Sequence, residues 1–393
     1  MYLYFIVAIL GREEQAPVQN YARCDRVMVM KIIHIISSLQ RGGAEMALAN
    51  LLHTLQNQAE HQVIFFHDGP VRKTIEELGI PCIQIRATGS YANPLFFLRL
   101  LKKIKQFAPA CIHTDLWAAN VLGRICAWLL KIPCVSVVHA MTEHEGKLRA
   151  TIDRIIPCRP TYYVAVSPAV KESLQKNRRL HQAPCVVIKN GIDAQALQTT
   201  GMNKSCTLFS SPNVHNKFII GAVGRLIQEK NYDVLLDSFA TVCTISADIH
   251  LVVVGSGPEE QKLKLLAEQL QIADHVTWVG NQLAHPYYSF FNCFVQPSRS
   301  EGLSIALLEA LACNLPVIVT GNNKQHPVIQ DQMNGLVIEP DDSVALTHAL
   351  QTYLENPTLR KSYGASGYQT VTTQFSMQQT AQAYQTLFEE ITK

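Results

Sequence analysis

The chain has few charged residues and lacks the signature motifs of several enzyme classes. Charged residues make up 17% of the 393 positions, and the formal net charge is only +3. Nucleic-acid binders normally carry a concentrated basic face, so this balance argues against that class. The sequence also has no G-x-x-x-x-G-K-[ST] loop, no H-E-x-x-H, no G-x-S-x-G elbow and no G-x-G-x-x-G followed by an acidic strand end. Nothing therefore supports the chemistries that these motifs serve.

Paired cysteines and long apolar runs are missing as well. The eleven cysteines lie scattered from Cys24 to Cys313 without a C-x-x-C pair. This pattern favours reduced, mostly buried thiols in a cytoplasmic protein over a disulfide framework or a zinc site. The apolar run from Tyr2 to Leu10 is nine residues long, too short for a membrane-spanning helix, and no basic segment precedes it. We therefore predict no signal peptide.

Histidine spacing gives no sign of a metal site either. His53, His61 and His67 are not joined by the spacing typical of metal ligands. We interpret all three as structural residues on or near surface elements. No bound metal or cofactor is expected.

The composition is that of a globular protein with ample core material. Hydrophobic residues account for 48% of the chain, and 393 residues are too many for one ordinary core, so two domains are expected. From residue 31 onward, short apolar runs alternate with helical stretches, which is the βαβ rhythm of a parallel sheet. This alternation stops at a polar, turn-rich segment and then resumes.

The predicted fold class is α/β, with two Rossmann-like doubly wound parallel sheets facing each other across a cleft. Ligands bind such sheets at the carboxyl ends of the strands. We expect the residues before the first strand to be a loose extension or an over-long gene start. The predicted divisions are an N-terminal extension (1–29), an N-terminal domain (30–192), a linker (193–217), a C-terminal domain (218–372) and a final helical segment (373–393).

Two carboxylates, Glu301 and Glu309, lie eight positions apart around the start of one apolar helix. If Ser304 caps that helix, the free N–H groups of its first turn make a site for a diphosphate beside Glu301. Glu309 lies within an otherwise apolar helix and needs a partner that offsets its desolvation. From the sequence alone, a ribose diol is as good a partner for the Glu309 carboxylate as a nearby Arg or backbone amide.

Other suitable groups also follow strand ends. Arg225 and Lys230 come after the strand predicted at 218–223 and could converge on a diphosphate, although a solvated loop is equally consistent. Gly42 and Gly43 begin a helix after the first strand. Their backbone N–H groups could bind an anion, but an ordinary strand-to-helix turn would also favour glycine here. His139 ends another strand, a position where an isolated histidine is more often a core residue than a catalyst.

The motifs together resemble one family. In order they are Gly42-Gly-Ala-Glu45, Ala165-Val-Ser-Pro-Ala-Val170, Ile188-Lys-Asn-Gly-Ile-Asp193, Val223-Gly-Arg-Leu226 with Lys230, Val252-Val-Val-Gly-Ser-Gly-Pro258, Val276-Thr-Trp-Val-Gly280 and Glu301-Gly-Leu-Ser-Ile-Ala-Leu-Leu-Glu309. This ordered set is similar to that of retaining GT-B glycosyltransferases of family 4, and the resemblance covers residues 31–390.

The resemblance implies how a nucleotide sugar would be held at its diphosphate. Arg225 and Lys230 would bind the diphosphate, helped by backbone N–H groups of Leu303, Ser304 and Gly43. Their charges would stabilise the departing nucleoside diphosphate. The two cations would take the place of a bound metal, so the resemblance implies a metal-independent reaction with retained configuration.

The resemblance assigns roles to the remaining site residues in the same way. Glu309 would bind the ribose hydroxyls, Glu301 a hydroxyl of the donor sugar, and Gly280 would lie beside the base. His139 would position the sugar and stabilise developing positive charge. The helix predicted at 376–391 would cross back onto the N-terminal domain.

Two features bear on the acceptor. Many relatives have a second histidine where this chain has Asp115, two places after His113, and this tip is expected to face the acceptor. The helix at Asn93–Gln106 combines an apolar face with lysines and could touch a membrane, but a packed helix with a basic outer face is the favoured interpretation.

The sequence therefore predicts a cytoplasmic glycosyltransferase that could make peripheral contact with the inner face of the membrane. It would move a hexose, from a UDP-sugar in our interpretation, to a glycan or lipid-linked acceptor in bacterial polysaccharide or lipopolysaccharide synthesis. One alternative is an enzyme like UDP-N-acetylglucosamine 2-epimerase, which shares the fold. Another is a non-catalytic partner subunit of the same fold.

Deletion of residues 1–29 is expected to leave folding and transferase activity intact, because the predicted fold begins near Met30. Expression of the truncated chain, followed by thermal unfolding and a turnover assay, checks this. An insoluble or inactive product would contradict it.

Overall fold

The computed structural model describes most of the chain from residue 30 onward. The described residues are 30–86, 91, 93–141, 149, 151–153, 156, 161–178, 183–201, 214, 216–324 and 326–393. Within them the chain forms two parallel sheets, each flanked by helices.

The first sheet has seven strands in the order β3-β2-β1-β4-β5-β6-β7, all paired in parallel. In chain order they are β1 (Lys31–Ser38), β2 (Glu60–His67), β3 (Cys82–Gln84), β4 (Cys111–Asp115), β5 (Cys134–Val138), β6 (Thr161–Ala165) and β7 (Cys185–Val187).

The second sheet has six parallel strands in the order β10-β9-β8-β11-β12-β13. They are β8 (Phe218–Val223), β9 (Ile249–Val254), β10 (Val276–Gly280), β11 (Cys293–Gln296), β12 (Val317–Thr320) and β13 (Leu336–Ile338).

The α-helices connect these strands. They are α1 (Gly43–Leu55), α2 (Val71–Glu76), α3 (Pro94–Phe107), α4 (Trp117–Leu130), α5 (Pro168–Arg178), α6 (Ala194–Gly201), α7 (Tyr232–Cys243), α8 (Glu260–Gln269), α9 (His285–Tyr288), α10 (Ile305–Ala312), α11 (Ser343–Glu355), α12 (Pro357–Gln374) and α13 (Met377–Thr392).

These elements confirm the predicted fold class, with two differences in detail. Helix α6 occupies the start of the segment that the polar composition presented as a linker, and its Leu197 is buried. Strand β13 was not predicted, because three residues are too short to show a period. The alternation of apolar runs and helical stretches also predicts a helix at 143–156, which lies largely outside the described residues.

Strand β1 lies in the interior of the first sheet, between β2 and β4, and is covered on both faces. Ile33 and Ile35 pack in the cluster that includes Phe96 and Leu100 of α3, whereas Ile36 on the opposite face packs with Leu48 of α1. Because both faces of a parallel sheet are buried under helices, its strands are almost continuously apolar. This explains why β1 was recognisable from its sequence.

Helix α13 ties the two halves of the chain together. Ser376 caps it by accepting a hydrogen bond from the backbone N–H of Gln379. The N–H of Met377 donates to the carbonyl of Ile192 over 3.1 Å, and Tyr384 and Phe388 pack their rings on His113 of β4. The last helix therefore lies against the N-terminal half, as the family resemblance implied.

Helix α3 is a packed helix with a partly apolar outer surface. Asn93 caps it, and five apolar side chains are buried beneath it, while Leu95 and Leu98 remain 62% and 47% exposed. None of the helices in the described part of the chain is long and apolar enough to cross a membrane.

The prediction that His61 lies on or near the surface was wrong. Its side chain is buried and hydrogen-bonded to His34, which also meets His113, whereas His53 and His67 are exposed. Burial lowers the pKa of all three buried histidines, because a charged imidazole would lose its hydration. The same cause lowers the pKa of His250 and His326 to about 4.

These five histidines with lowered pKa values predict that the protein loses stability in mild acid. Below a pH near 6.5 the unfolded chain binds protons that the folded histidines do not, so stability falls as pH falls. His285, whose pKa is raised, opposes this with the reverse sign. The expected result is a net loss of unfolding free energy from pH 7 to 5.5, because five histidines act in this direction and His285 acts against it.

Denaturant unfolding at several pH values measures this slope. The exposed His53 provides the control, since His53→Gln should leave the slope unchanged. Stability that does not vary between pH 7 and 5.5 would contradict the neutral, buried state of these side chains.

Candidate active site

The carboxyl ends of the second sheet present two neighbouring loops that are tied together. The loop after β8 carries Arg225 and Lys230, and the loop after β11 carries Glu301. Arg299 joins the loops, since its backbone N–H donates to the carbonyl of Glu229 over 2.9 Å and its guanidinium to the carbonyl of Gln228 over 2.6 Å. The positions of the two loops are therefore fixed relative to each other.

Lys230 and Glu301 form an ion pair at this edge. The Lys230 Nζ contacts Glu301 Oε1, which also accepts a hydrogen bond from Ser298 Oγ at 2.9 Å. Both side chains are about one-fifth exposed, at 23% and 20%. Two residues with separate predicted roles in donor binding are thus direct neighbours.

Ser304 begins helix α10 as the sequence suggested. Its Oγ accepts a hydrogen bond from the backbone N–H of Leu307 at 3.3 Å. The carbonyl of Leu303 accepts from the Asn190 side chain, which belongs to the N-terminal half of the chain. The first turn of α10 consequently lies where the two halves meet.

The Glu309 carboxylate pairs with His285 and Tyr288, and not with the arginine or backbone amide considered from the sequence. Its Oε1 lies 3.0 Å from His285 Nε2, and its Oε2 accepts from the Tyr288 hydroxyl at 2.8 Å. Burial opposes a charge on His285, but the hydrogen bond and the charge of Glu309 outweigh it and raise the pKa of His285. These two contacts offset the burial of a carboxylate that is only 5% exposed.

The backbone around the strand ends of the second sheet is closely packed. Side chains at Gly255 and Gly257 would overlap the backbone of Gly224 and Leu226, so glycine is required for the two turns to approach. Gly280 ends β10 at φ +78, and the following Asn281 accepts a hydrogen bond on its carbonyl from Arg41. Arg41 thereby bridges the cleft next to the predicted base site.

Across the cleft, Gly42 and Gly43 lie at the start of α1 beside a buried acid. A Cβ at Gly42 would overlap the Glu45 carboxylate, whereas one at Gly43 would meet open space. Burial raises the pKa of Glu45, opposed by its own backbone N–H and by the charge of Arg225. The start of α1 therefore already holds a carboxyl group, which the sequence analysis did not anticipate.

His139 contacts Asp115 through its ring and Gly302 through its backbone. Its Nε2 is 2.8 Å from Asp115 Oδ1, and its backbone carbonyl is so close to Gly302 that a Cβ there would overlap it. Asp115 is 2% exposed, and its link to the acceptor stays a prediction. Its carboxylate contacts His139.

The structure thus brings the sequence-predicted residues to the facing edges of two sheets. His139 lies next to Gly302, which links Glu301 to Leu303, and Glu301 contacts Lys230. Sequence reasoning missed residues that hold them or lie beside them, namely Glu45, His285, Tyr288 and Arg299, and it did not assign Asp115 to the support of His139. Their only signal was indirect, because a buried acid or a strand-end histidine requires a polar partner.

Within the described residues no cluster of three or more His, Cys, Asp or Glu side chains could hold a metal ion.

Comparison with protein families matches both halves of the chain. Residues 41–196 match the family described as Glycosyltransferase Family 4, and residues 207–370 match the family described as Glycosyl transferases group 1. The two matched segments together span both sheets.

Individual relatives support the same assignment. An N-acetylgalactosamine-N,N'-diacetylbacillosaminyl-diphospho-undecaprenol 4-alpha-N-acetylgalactosaminyltransferase of Campylobacter jejuni is 25% identical, over 85% of this chain and 93% of the relative. The lipopolysaccharide core biosynthesis glycosyltransferase LpsD of Rhizobium meliloti is 24% identical, over 92% and 98%.

A solved structure shows the fold. The chain superposes on HepE of Anabaena, solved in complex with UDP and glucose, with a TM-score of 0.80 and 18% identity, covering 92% of this chain and 100% of that one. The paired sheets, the crossing C-terminal helix and the family matches lead to one conclusion: the chain belongs to the glycosyl transferases group 1, family 4, is a GT-B glycosyltransferase, and is related to enzymes of polysaccharide and lipopolysaccharide biosynthesis.

Proposed function

We propose that this glycosyltransferase moves a hexose from a UDP-sugar to a glycan or lipid-linked acceptor, with retained configuration and without a metal ion. The observation that carries the proposal is the Lys230–Glu301 ion pair, which is followed in the chain by Gly302 against the backbone carbonyl of His139. We infer that a cation, a carboxylate and an imidazole line one space between the two sheets. A donor sugar joined to its diphosphate offers complementary groups to all three.

Arg225 and Lys230 are the residues proposed to stabilise the leaving diphosphate. Lys230 is paired with Glu301 in the structure, so a bound diphosphate would share the positive charge of Lys230 with Glu301. The N–H groups at the start of α10, next to Leu303 and Ser304, and those at Gly43 would add donors. As the anomeric C–O bond breaks, negative charge builds on the phosphate, and these fixed positive groups lower the barrier.

Glu309 is proposed to bind the ribose through the lone pairs that His285 and Tyr288 leave unused. A carboxylate has about four acceptor positions, and these two partners occupy two of them. Gly280 would lie beside the base, with Gly42 next to the donor at the opposite edge. The choice of uridine is supported by the Anabaena HepE complex, which contains UDP and glucose.

His139 is proposed to position the donor sugar. Because its Nε2 is committed to Asp115, Nδ1 is the ring nitrogen left for a sugar hydroxyl. The contact with the Asp115 carboxylate also fixes the orientation of the ring, which suits a group proposed to position the donor sugar.

The proposed acceptor class rests on the relatives and on α3. The Campylobacter relative acts on a diphospho-undecaprenol-linked glycan, according to its name. In this chain, exposed Leu95 and Leu98 are followed on α3 by exposed Arg99, Lys102 and Lys105, an arrangement suited to an anionic lipid surface. We propose peripheral contact with the inner leaflet through this face.

Arg225→Ala is expected to reduce turnover about a hundredfold or more, the scale for loss of one charge that stabilises the transition state. Steady-state transfer or slow donor hydrolysis with a UDP-sugar measures it. Arg72→Ala, which removes an exposed arginine paired with Asp68 and Glu76, is the matched control and should have normal turnover. Near-normal turnover of Arg225→Ala would contradict the proposed role.

Gly302→Ala is expected to abolish most turnover while UDP binding persists. The new Cβ would overlap the His139 carbonyl and separate the two halves, and a displacement of about 1 Å can cost roughly a hundredfold in rate. Arg225, Lys230 and Glu309 all lie in the half of the chain that contains the second sheet, so nucleotide affinity should change little. Calorimetric UDP titration and a turnover assay test this, and normal turnover would rule out the need for the contact.

A further inference from the structure

Glu45 is a buried carboxyl group in the first turn of α1. The residue is 8% exposed, and its carboxylate lies so close to Gly42 that a Cβ there would overlap it. The backbone N–H of Glu45 donates a hydrogen bond to this carboxylate. No ion pair between described residues includes Glu45. A buried carboxylate without a paired cation is costly, which favours the neutral acid.

The charged groups that act on Glu45 come from three strand ends. Burial raises the pKa of Glu45, and the charge of Asp115, at the end of β4, acts in the same direction. The hydrogen bond from its own N–H, the charge of Arg225 after β8 and that of His139 after β5 oppose this rise. Burial outweighs them, so Glu45 takes up a proton more easily than an exposed glutamate does.

Other charged groups near α1 are directed at partners of their own. Arg41, in the turn before α1, donates to the carbonyl of Asn281. The helices α2, α10 and α13 pack against α1 and carry titratable groups with other contacts: Arg72 with Glu76, Glu309 with His285, and Tyr384 with His113.

Gly43, two positions before Glu45, leaves room for an anion next to this acid. A Cβ at Gly43 would meet no atom within 4 Å. The first hydrogen bond within α1 runs from the N–H of Met46 to the carbonyl of Gly42, so the N–H of Gly43 has no partner within the helix. A diphosphate held at Gly43 would therefore lie beside the Glu45 carboxyl. Two anions that share a poorly hydrated site cannot both keep their charge without a large penalty.

We propose that Glu45 is a further donor-binding residue, which holds the donor as a neutral acid and donates a hydrogen bond to an oxygen of its diphosphate. This inference rests on the proposed function, because it places the diphosphate between Gly43 and Arg225. A buried carboxylic acid that stays neutral can serve as such a donor. The proton comes from solvent and remains on Glu45, and no bond of the donor changes.

Arg225 links the proton on Glu45 to the diphosphate. In the ligand-free protein its charge favours the ionised form of Glu45. A bound diphosphate would take over the charge of Arg225 and add its own negative charge beside Glu45. Both effects favour protonation of Glu45, so donor binding should be accompanied by the uptake of one proton.

Proton uptake makes donor affinity depend on pH. Above the pKa of Glu45 in the ligand-free protein, each donor that binds must bring in a proton, so affinity falls as pH rises, by at most about tenfold per pH unit. Below that pKa, Glu45 is already neutral and no longer contributes to the slope. UDP-glucose is a suitable probe, because its diphosphate has no monoester group, whose second pKa of about 6 would add a slope of its own.

The test compares wild type with Glu45→Gln by calorimetric titration of UDP-glucose without added metal. Glutamine has nearly the same size and keeps a hydrogen-bond donor but carries no charge. Between about pH 6 and 8.5 we expect the affinity of wild type to fall about tenfold more than that of Glu45→Gln. Histidines near the donor titrate in both proteins, so their effect cancels in this comparison. Glu77→Gln, at an exposed position, is the control and should follow wild type.

Infrared difference spectra of wild type give a second readout. When UDP-glucose binds at about pH 8, a carboxylate band should be replaced by a carboxylic-acid band, as expected for an acid that binds a proton with its ligand. Labelling of glutamate with ¹³C shifts this band and distinguishes it from the carbonyl bands of uracil. If Glu45→Gln does not fold, the wild type still decides, since the absence of a labelled acid band would overturn the proposal.

The outcomes separate this inference from the proposed function. Wild type that binds none of UDP-glucose, UDP-galactose and UDP-N-acetylglucosamine at any pH would contradict the proposed function. Wild type that binds a UDP-sugar with the same pH slope as Glu45→Gln would overturn the role of Glu45 and leave the proposed function standing.

Discussion

All candidate site residues depend on one constraint, that parallel strands deliver their carboxyl ends to the same edge of a sheet. His139 follows β5, Arg225 and Lys230 follow β8, and Glu301 follows β11. The C-terminal helix α13 holds the two sheets so that these edges face each other, through its contacts with Ile192 and His113. Residues far apart in the chain therefore become neighbours without any long loop of their own.

Charge at this edge is supported by buried partners on both sides. Glu309 is held by His285 and Tyr288, and His139 is held by Asp115. A buried carboxylate without partners would be strongly destabilising, so these groups are part of the folded structure before any ligand binds. Pre-organised charges need no rearrangement during a reaction, which is where their electrostatic effect is greatest.

The sequence predicted those features that local pattern determines. The apolar run of β1 and the Ser304 cap of α10 follow from strand composition and helix-capping preference, and both were found. The partners of Glu309 could not be predicted, because His285 is joined to it only by packing between α9 and α10. The buried state of His61 was missed for the same reason, as it depends on pairing across three strands.

The most direct test of the central claim is donor binding across a panel. Thermal shift without added metal would be measured for wild type and Glu309→Ala with UDP-glucose, UDP-galactose, UDP-N-acetylglucosamine and GDP-mannose. We expect one UDP-sugar to stabilise the wild type and to lose this effect in the variant, since a bound ligand raises stability by its affinity for the folded state. Equal stabilisation of both proteins, or no response to any donor, would contradict a nucleotide-sugar site at Glu309 and favour a non-catalytic role.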